Sequence, residues 1–129
     1  MSNYNRLKCF LIEDEPLASY QIQKYIQSTP ILELISTVEY TEDFNINAHH
    51  ILQADILFLD INIKGGEIHF LEPYLSKISY IIITSVLPSA QYPAFIRTNP
   101  YWILRKPITQ YKFHNCIKEI VAKRQFYIK

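Results

Sequence analysis

Residues 54–60, Ala-Asp-Ile-Leu-Phe-Leu-Asp, form the most apolar run of the chain, and the run ends in a carboxylate. Consecutive apolar residues, rather than alternating ones, are typical of a strand covered on both faces, as in a parallel sheet flanked by helices. A lone carboxylate at the end of such a strand is costly to bury unless a cation or a donor accompanies it. The run therefore predicts an inner strand of a parallel sheet, with Asp60 in a polar site where the strand ends.

Apolar runs alternate with segments of helical periodicity along the rest of the chain. Strands are predicted at Leu7–Ile12, at Leu32–Val38 and at residues 55–59, 80–84 and 102–105. Helices are predicted from Pro16 to before Ser28, over residues 42–52 after a Thr41 cap, over residues 68–75, from near Pro93, and after a Thr109 cap. This alternation predicts an α/β fold, a doubly wound five-stranded parallel sheet with helices on both faces.

The length and composition limit the classes of protein that the chain can represent. Its 129 residues fit one domain that covers 1–129. No apolar stretch approaches the roughly 20 residues of a transmembrane helix, and the first residues are too polar for a signal peptide. We therefore expect a cytoplasmic protein with no membrane partner, whose Cys9 and Cys116 are buried free thiols. A net charge of +1 favours no nucleic acid as a partner of this domain.

Acidic residues follow two of the predicted strands: Glu13 and Asp14 come after the first, and Asp60 comes after the third. In open α/β sheets the site lies beyond the carboxyl ends of the strands. Two like charges about 4 Å apart repel by about 4 kcal/mol at an effective dielectric constant of about 20, so several carboxylates need a cation. Carboxylate oxygens suit Mg²⁺, with Mn²⁺ as a substitute. The pattern predicts a divalent metal site at these three residues.

Two hydroxyls, Thr84 and Ser85, and the ammonium of Lys106 follow the last two strands. Beside a metal-bound carboxylate, a hydroxyl and an ammonium would bind the oxygens of a phosphoryl group that Asp60 accepts as a nucleophile. Each signal also has an ordinary structural explanation. An Asp at a strand end is often a turn or cap residue, and a Lys-Pro pair often marks only a helix boundary. The order of all these elements along the chain is more specific than any one of them.

Four segments together resemble the receiver domain of two-component response regulators. They are Leu11-Ile12-Glu13-Asp14-Glu15-Pro16-Leu17-Ala18, Asp55-Ile56-Leu57-Phe58-Leu59-Asp60-Ile61-Asn62, Ile81-Ile82-Ile83-Thr84-Ser85 and Leu104-Arg105-Lys106-Pro107. The Glu-Asp-Glu-Pro-Leu-Ala run is similar to that of receivers attached to LytTR-type DNA-binding domains. The resemblance implies the CheY-like strand order 2-1-3-4-5, which joins the two acidic clusters by placing strands one and three side by side.

The resemblance implies a role for each residue of the metal site. Asp60 matches the phosphoacceptor, and Asp14 matches the direct metal ligand. Glu13 matches its acidic neighbour, which acts largely through water. Asn62 occupies the position whose backbone carbonyl ligates the metal.

The resemblance also implies the residues that read the phosphorylated state. Ser85 matches the hydroxyl that bonds the phosphoryl group and moves on activation, and it is chosen over Thr84 as the last residue of the strand pattern. Lys106 matches the lysine that pairs with the phosphoryl group. The switch aromatic of the family is replaced by Ile103, and Trp102 is the neighbouring aromatic expected to substitute for it.

Further departures from the family keep other hypotheses open. Val86 stands where the family has a small residue, and Lys64 stands where it has a proline. Together with Ile103, they allow a pseudo-receiver that binds proteins without phosphorylation. A phosphatase of the haloacid dehalogenase type is disfavoured, because such enzymes carry an aspartate where this chain has Asn62 and their nucleophile follows the first strand. A turnover enzyme is therefore not expected.

The expected partners follow from the same resemblance. A sensor histidine kinase would donate the phosphoryl group. A homodimer is expected through the fourth helix, the fifth strand and the fifth helix, where aromatic residues are frequent. DNA would be bound only through a C-terminal effector domain beyond residue 129.

Overall fold

The computed structural model describes residues 6–40, 43–61 and 68–128, with side chains as far as residue 124. In this part of the chain five parallel strands form one sheet in the order β2-β1-β3-β4-β5. The strands are β1 (Leu7–Ile12), β2 (Leu32–Val38), β3 (Ile56–Leu59), β4 (Tyr80–Ile83) and β5 (Trp102–Ile103). The predicted fold class and strand order are both confirmed.

Five helices alternate with the strands in the described residues. They are α1 (Pro16–Gln27), α2 (Phe44–Ile51), α3 (Glu72–Leu75), α4 (Ala94–Arg97) and α5 (Gln110–Ile128). A 3₁₀ turn precedes α3 at His69–Leu71, and another precedes α4 at Ser89–Gln91. Proline starts α1 as predicted, and the Thr109 hydroxyl caps α5 by accepting the Lys112 N–H at 3.1 Å.

Helix α2 was predicted over about residues 42–52; in the described residues it begins at Phe44, with Asp43 at its N-cap, and residue 42 lies outside them. The Asp43 N–H donates to the Tyr40 carbonyl at 3.0 Å, a turn bond that precedes the helix. The Asp43 side chain makes no capping bond, and the Phe44 side chain that follows it is buried. The proposed cap, Thr41, lies outside the described residues.

Helices cover both faces of the sheet, as the continuous apolar run predicts. Ile56 and Phe58 of β3 pack with α1 and α5, whereas Leu57 and Leu59 pack with α2, α3 and α4. All four side chains are fully buried. Because burial of one such side chain contributes about 1.5–3 kcal/mol, β3 is a main source of stability and a rigid support for the residue that follows it.

Cys9 and Cys116 are free and buried, in agreement with the sequence prediction. Burial raises the pKa of each thiol to about 12, which leaves both in the unreactive protonated form. Among the described residues, no helix is both long and apolar enough to cross a membrane.

Candidate functional site

The carboxyl edge of the sheet brings three polar residues together because strand pairing continues one residue past each strand end. The Glu13 N–H donates to a β2 carbonyl at 3.0 Å, and the Asp60 N–H donates to a β1 carbonyl at 2.9 Å. The Thr84 N–H donates to a β3 carbonyl at 2.9 Å. These ladder bonds fix the backbones of all three residues before any ligand is present, so their side chains start from defined positions.

Carboxylate oxygens of Glu13, Asp14 and Asp60 lie within 4.8 Å of one another. Glu13 and Asp60 are buried, at 1% and 4% exposure, and Asp14 is half-buried. Such proximity is unfavourable for three ionised groups in the absence of cations. The donor set consists of hard oxygen atoms, which is the chemistry that Mg²⁺ prefers, so these residues fit such an ion. Asn62, the fourth expected ligand, lies outside the described residues.

Lys106, which follows β5, places one cationic side chain next to the carboxylates of this cluster. Its Nζ atom lies 2.9 Å from Glu13 Oε2 and 3.5 Å from Asp60 Oδ2. Burial by itself lowers the pKa of the Lys106 ammonium, but the hydrogen bond to Glu13 and the two nearby carboxylates together raise it above its usual range. One ammonium faces three carboxylates, which leaves the cluster negative overall and able to bind a divalent cation.

Glu13 is surrounded by donors from its own chain. Its Oε2 atom accepts from Lys106 and from the Glu15 N–H at 3.1 Å, and its Oε1 atom lies 3.4 Å from the Thr84 hydroxyl, which donates to it. Burial nevertheless raises the pKa of Glu13 to about 7, with the Asp60 charge adding to the rise and Lys106 opposing it. Glu13 therefore changes charge near neutral pH.

Two contacts at the site were not foreseen from the sequence. Thr84 was set aside in favour of Ser85, yet the Thr84 hydroxyl contacts Glu13. Glu15, the third acid of the first cluster, caps α1 by accepting the Leu17 and Ala18 N–H groups at 3.3 and 2.8 Å. The capping role was readable from an acid directly before Pro16, since acidic side chains are favourable at helix N-termini.

Ser85 is buried at the start of the loop between β4 and α4, directly after Thr84. Its Oγ atom accepts the Leu87 N–H at 3.1 Å. A serine hydroxyl that accepts one hydrogen bond still has its own hydrogen to donate. The contact with Leu87 is therefore compatible with a bond from Ser85 to a phosphoryl oxygen. Val86, the next residue, is 66% exposed.

The two residues expected to form the switch lie on opposite faces of the sheet. Ile103 is half-buried against the cluster of α2, α3 and α4, whereas Trp102 packs on the side of α1 and α5. Trp102 contacts Tyr80 edge-to-face at 5.9 Å, and the Lys123 ammonium lies 5.4 Å from its ring centre. Adjacent strand residues point in opposite directions, so the Trp102 side chain does not occupy the position of the Ile103 side chain, and its role in a switch stays a prediction.

The aromatic residues of the last third of the chain divide between core and surface. Tyr92 and Phe113 are buried, and Phe113 stacks on Phe58 with ring centres 5.7 Å apart. Tyr111 is exposed. This division leaves an exposed aromatic side chain on α5, near β5.

In comparisons with known proteins, no family model matches this chain. No curated protein sequence matches it either. Solved structures share its fold. The REC domain of AraT, a response regulator from Geobacillus stearothermophilus, superposes with a TM-score of 0.76 at 19% identity, over 95% of this chain and 98% of that one. The response regulatory domain of protein mrkE from Klebsiella pneumoniae gives 0.72 at 22% identity, over 91% and 97%.

A longer response regulator has the same fold over part of its length. RcsB from Salmonella enterica serovar Typhimurium, bound to promoter rprA in the presence of phosphomimetic BeF3−, gives a TM-score of 0.73 at 17% identity. The match covers 92% of this chain but 61% of RcsB, so the chain spans less than two thirds of that protein. At these identities the comparisons show that this chain has the fold of a response regulator receiver domain.

Proposed function

We propose that this chain is a phosphoacceptor receiver domain of a two-component system, which takes a phosphoryl group from a histidine kinase onto Asp60. The observation that carries the proposal is the convergence of Glu13, Asp14, Asp60 and Lys106 at one edge of the sheet. The shared fold and the sequence motifs support the same conclusion. In this role the domain assists its own phosphorylation and dephosphorylation and is not a turnover enzyme.

In the proposed transfer, an Asp60 carboxylate oxygen attacks the phosphorus atom while the bond from phosphorus to the donor imidazole breaks. The electron pair of that bond leaves with the imidazole nitrogen, which then takes up a proton. Asp14 and Asp60, with Glu13 largely through water, would hold Mg²⁺, and Mn²⁺ would substitute. When bound, the ion neutralises charge on the phosphoryl oxygens.

The residues of this chain would position and stabilise the transferred group. Lys106 lies 3.5 Å from Asp60 Oδ2, close enough to pair with a phosphoryl oxygen on that carboxylate. Ser85 would donate its free hydroxyl hydrogen to another oxygen. The backbone carbonyl of Asn62 belongs to the same proposed metal site.

The proposed signal leaves the domain as a change in binding. New charge at Asp60 would pull Ser85 and the loop to α4, altering the face formed by α4, β5 and α5. RcsB, which shares the fold, is described with promoter DNA. For this chain, DNA contact is proposed only through a C-terminal effector domain.

Beryllofluoride, which mimics an aspartyl phosphate, tests the proposal without a cognate kinase. We expect it to bind the protein in the presence of Mg²⁺ and not after Mg²⁺ is chelated. Asp60→Asn should abolish binding, while Asp55→Asn, a matched change at the other end of the same strand, should leave it intact. Binding by the Asp60→Asn variant, or none by the unaltered protein, would overturn the proposal.

A second candidate is a pseudo-receiver that binds proteins without phosphorylation. The half-buried Ile103 at the switch position favours it, as does the exposed Val86. Lys106 and the Ser85 oxygen also have partners in this structure, at Glu13 and Leu87. This candidate predicts that Asp60→Ala binds the partner as well as the unaltered protein does, whereas the receiver proposal predicts altered binding.

A further inference from the structure

The hydroxyl of Tyr92 is a buried polar group that has nothing to bond. Tyr92 lies between the 3₁₀ turn at Ser89–Gln91 and helix α4, and it is only 2% exposed. Its hydroxyl is buried and has no hydrogen-bond partner among the described residues. Such a hydroxyl has lost its bonds to water without replacement, which destabilises this arrangement of the chain. A phenylalanine would serve packing equally well, so packing alone does not account for the hydroxyl.

The surroundings of the Tyr92 ring come from the loop after β4 and from residues next to β5. The half-buried Leu87 of that loop packs against the same apolar cluster as Tyr92. The ring of Tyr101 lies 5.8 Å from that of Tyr92, centre to centre. Burial raises the pKa of Tyr92, and the positive charge of Arg105 opposes this rise, so the Arg105 charge acts on the buried hydroxyl.

The backbone of Leu87 is held by two side chains. Its N–H donates to Ser85 Oγ at 3.1 Å, and its carbonyl accepts from Arg105 Nη1 at 3.4 Å. The bond from Arg105 is long and exposed, which makes it weak. A carbonyl oxygen accepts two hydrogen bonds, so the Leu87 carbonyl has room for another donor. Leu87 therefore connects Ser85 of the candidate site to the loop that packs around Tyr92.

We propose that Tyr92 is a positioning residue whose hydroxyl bonds the Leu87 carbonyl once Ser85 has moved toward a phosphoryl group. Withdrawal of Ser85 Oγ would release the Leu87 N–H, and the freed peptide would shift until its carbonyl meets the hydroxyl. The inference rests on the proposed function, because a phosphoryl group on Asp60 is what moves Ser85. Neither Tyr92 nor Leu87 lies in the four segments that carry the family resemblance, so the resemblance assigns neither a role.

The free energies of the two arrangements follow from the state of this hydroxyl. The unpaired hydroxyl raises the free energy of the unphosphorylated arrangement, and its pairing removes that cost from the phosphorylated one. A ligand shifts an equilibrium only as far as its interactions with the two states differ, and the protein sets how far apart the two states lie. Tyr92 would therefore bring the phosphorylated arrangement within reach and fix the segment before α4 once it is reached.

Tyr92→Phe keeps the ring and removes the hydroxyl, and it should change two measured quantities in opposite directions. The midpoint of urea unfolding of the unphosphorylated protein should rise by about 0.5 M, because no unpaired hydroxyl is buried. The affinity for beryllofluoride in the presence of Mg²⁺ should fall about fivefold, because the second arrangement loses its new hydrogen bond. A tyrosine that only packs would leave this affinity unchanged, a result that would overturn the proposal.

Tyr101→Phe is the matched control, because it makes the same chemical change on the neighbouring, half-buried ring. It should leave the urea midpoint and the beryllofluoride affinity nearly unchanged. An equal loss of affinity in both variants would contradict the assignment to the Tyr92 hydroxyl. A midpoint that Tyr92→Phe lowers or leaves unchanged would mean that the hydroxyl already has a partner, such as a buried water, and would also overturn the proposal.

Hydrogen exchange of the Leu87 amide, measured by NMR, follows the proposed step directly. Beryllofluoride with Mg²⁺ should make this amide exchange at least about tenfold faster, because its bond to Ser85 is lost. Ser85→Ala should give the fast exchange without any ligand. Unchanged exchange in a protein that binds beryllofluoride would overturn this inference alone, whereas no binding by the unaltered protein would overturn the proposed function and this inference with it.

Discussion

The Lys106 ammonium is held more closely by Glu13 than by Asp60, at 2.9 Å against 3.5 Å. In this structure the lysine therefore mainly compensates the buried Glu13 carboxylate. A phosphoryl group on Asp60 would compete for the same ammonium. Glu13 and the phosphoryl group would then share one cation, which couples the charge state of Glu13 to the occupancy of the site.

Lys106→Met removes this ammonium and keeps the aliphatic part of the side chain. Mg²⁺ binding at alkaline pH should tighten about tenfold, because a positive charge is lost beside three carboxylates. Beryllofluoride binding should weaken by at least as much, because its fluorine atoms lose their cationic partner. Isothermal titration calorimetry measures both affinities, and a change of the same sign in both would contradict the assigned role.

The affinity for Mg²⁺ should rise with pH across the neutral range. The pKa of Glu13 is about 7, so protons compete with the metal below that pH and cease to compete above it. Titrations with Mg²⁺ at successive pH values should show the rise in the unaltered protein. Glu13→Gln should lack the rise, and an unchanged pH dependence in that variant would assign it to another group.

The contribution of Glu13 to the stability of the metal-free protein should fall as the pH rises from about 4.5 to above 7. The folded state binds the Glu13 proton more tightly than the unfolded state does. The stabilisation is therefore complete below the unfolded pKa and is lost as the pH passes the folded one. The unfolding free energy of the unaltered protein, minus that of Glu13→Gln, should fall by roughly 2–3 kcal/mol over this range. Urea unfolding at several pH values measures it, and a constant difference would contradict the raised pKa.

Thr84→Val should destabilise the protein by about 1 kcal/mol, because it removes a hydroxyl that donates to the buried Glu13 while keeping the side-chain shape. The pKa of Glu13 should rise further, because the carboxylate loses a donor. Thr84→Ser is the control, because it keeps the hydroxyl that donates to Glu13 and should leave the pKa of Glu13 unchanged. Urea unfolding and the pH dependence of Mg²⁺ binding report the two effects. An unchanged pH dependence in Thr84→Val would contradict the contact.

Much of the fold was predictable because local signals and tertiary packing agree. The strand of residues 55–59 was recognised from consecutive apolar residues, and both of its faces are buried in the structure. Pro16 marked the start of α1 correctly. The cap predicted for α2, Thr41, lies outside the described residues, and Asp43 at the N-cap makes no side-chain capping bond.

The candidate site was predictable as a set of residues and not as a set of contacts. Parallel strands bring their carboxyl ends together, so Glu13, Asp14 and Asp60 were expected to converge, and they do. Which carboxylate Lys106 contacts more closely depends on side-chain conformation, which the order of residues does not specify. That Trp102 and Ile103 lie on opposite faces of the sheet follows from strand geometry alone and was predictable from their adjacent positions.

The most direct test of the central claim is chemical trapping of an aspartyl phosphate. The protein would be incubated with acetyl phosphate and Mg²⁺, reduced with borohydride and digested, and the peptides would be sequenced by mass spectrometry. The account predicts a reduced side chain at position 60 that requires Mg²⁺ and is absent from Asp60→Asn. Trapping at Asp14 or Asp55 instead, or no trapping in a protein that binds beryllofluoride, would contradict it.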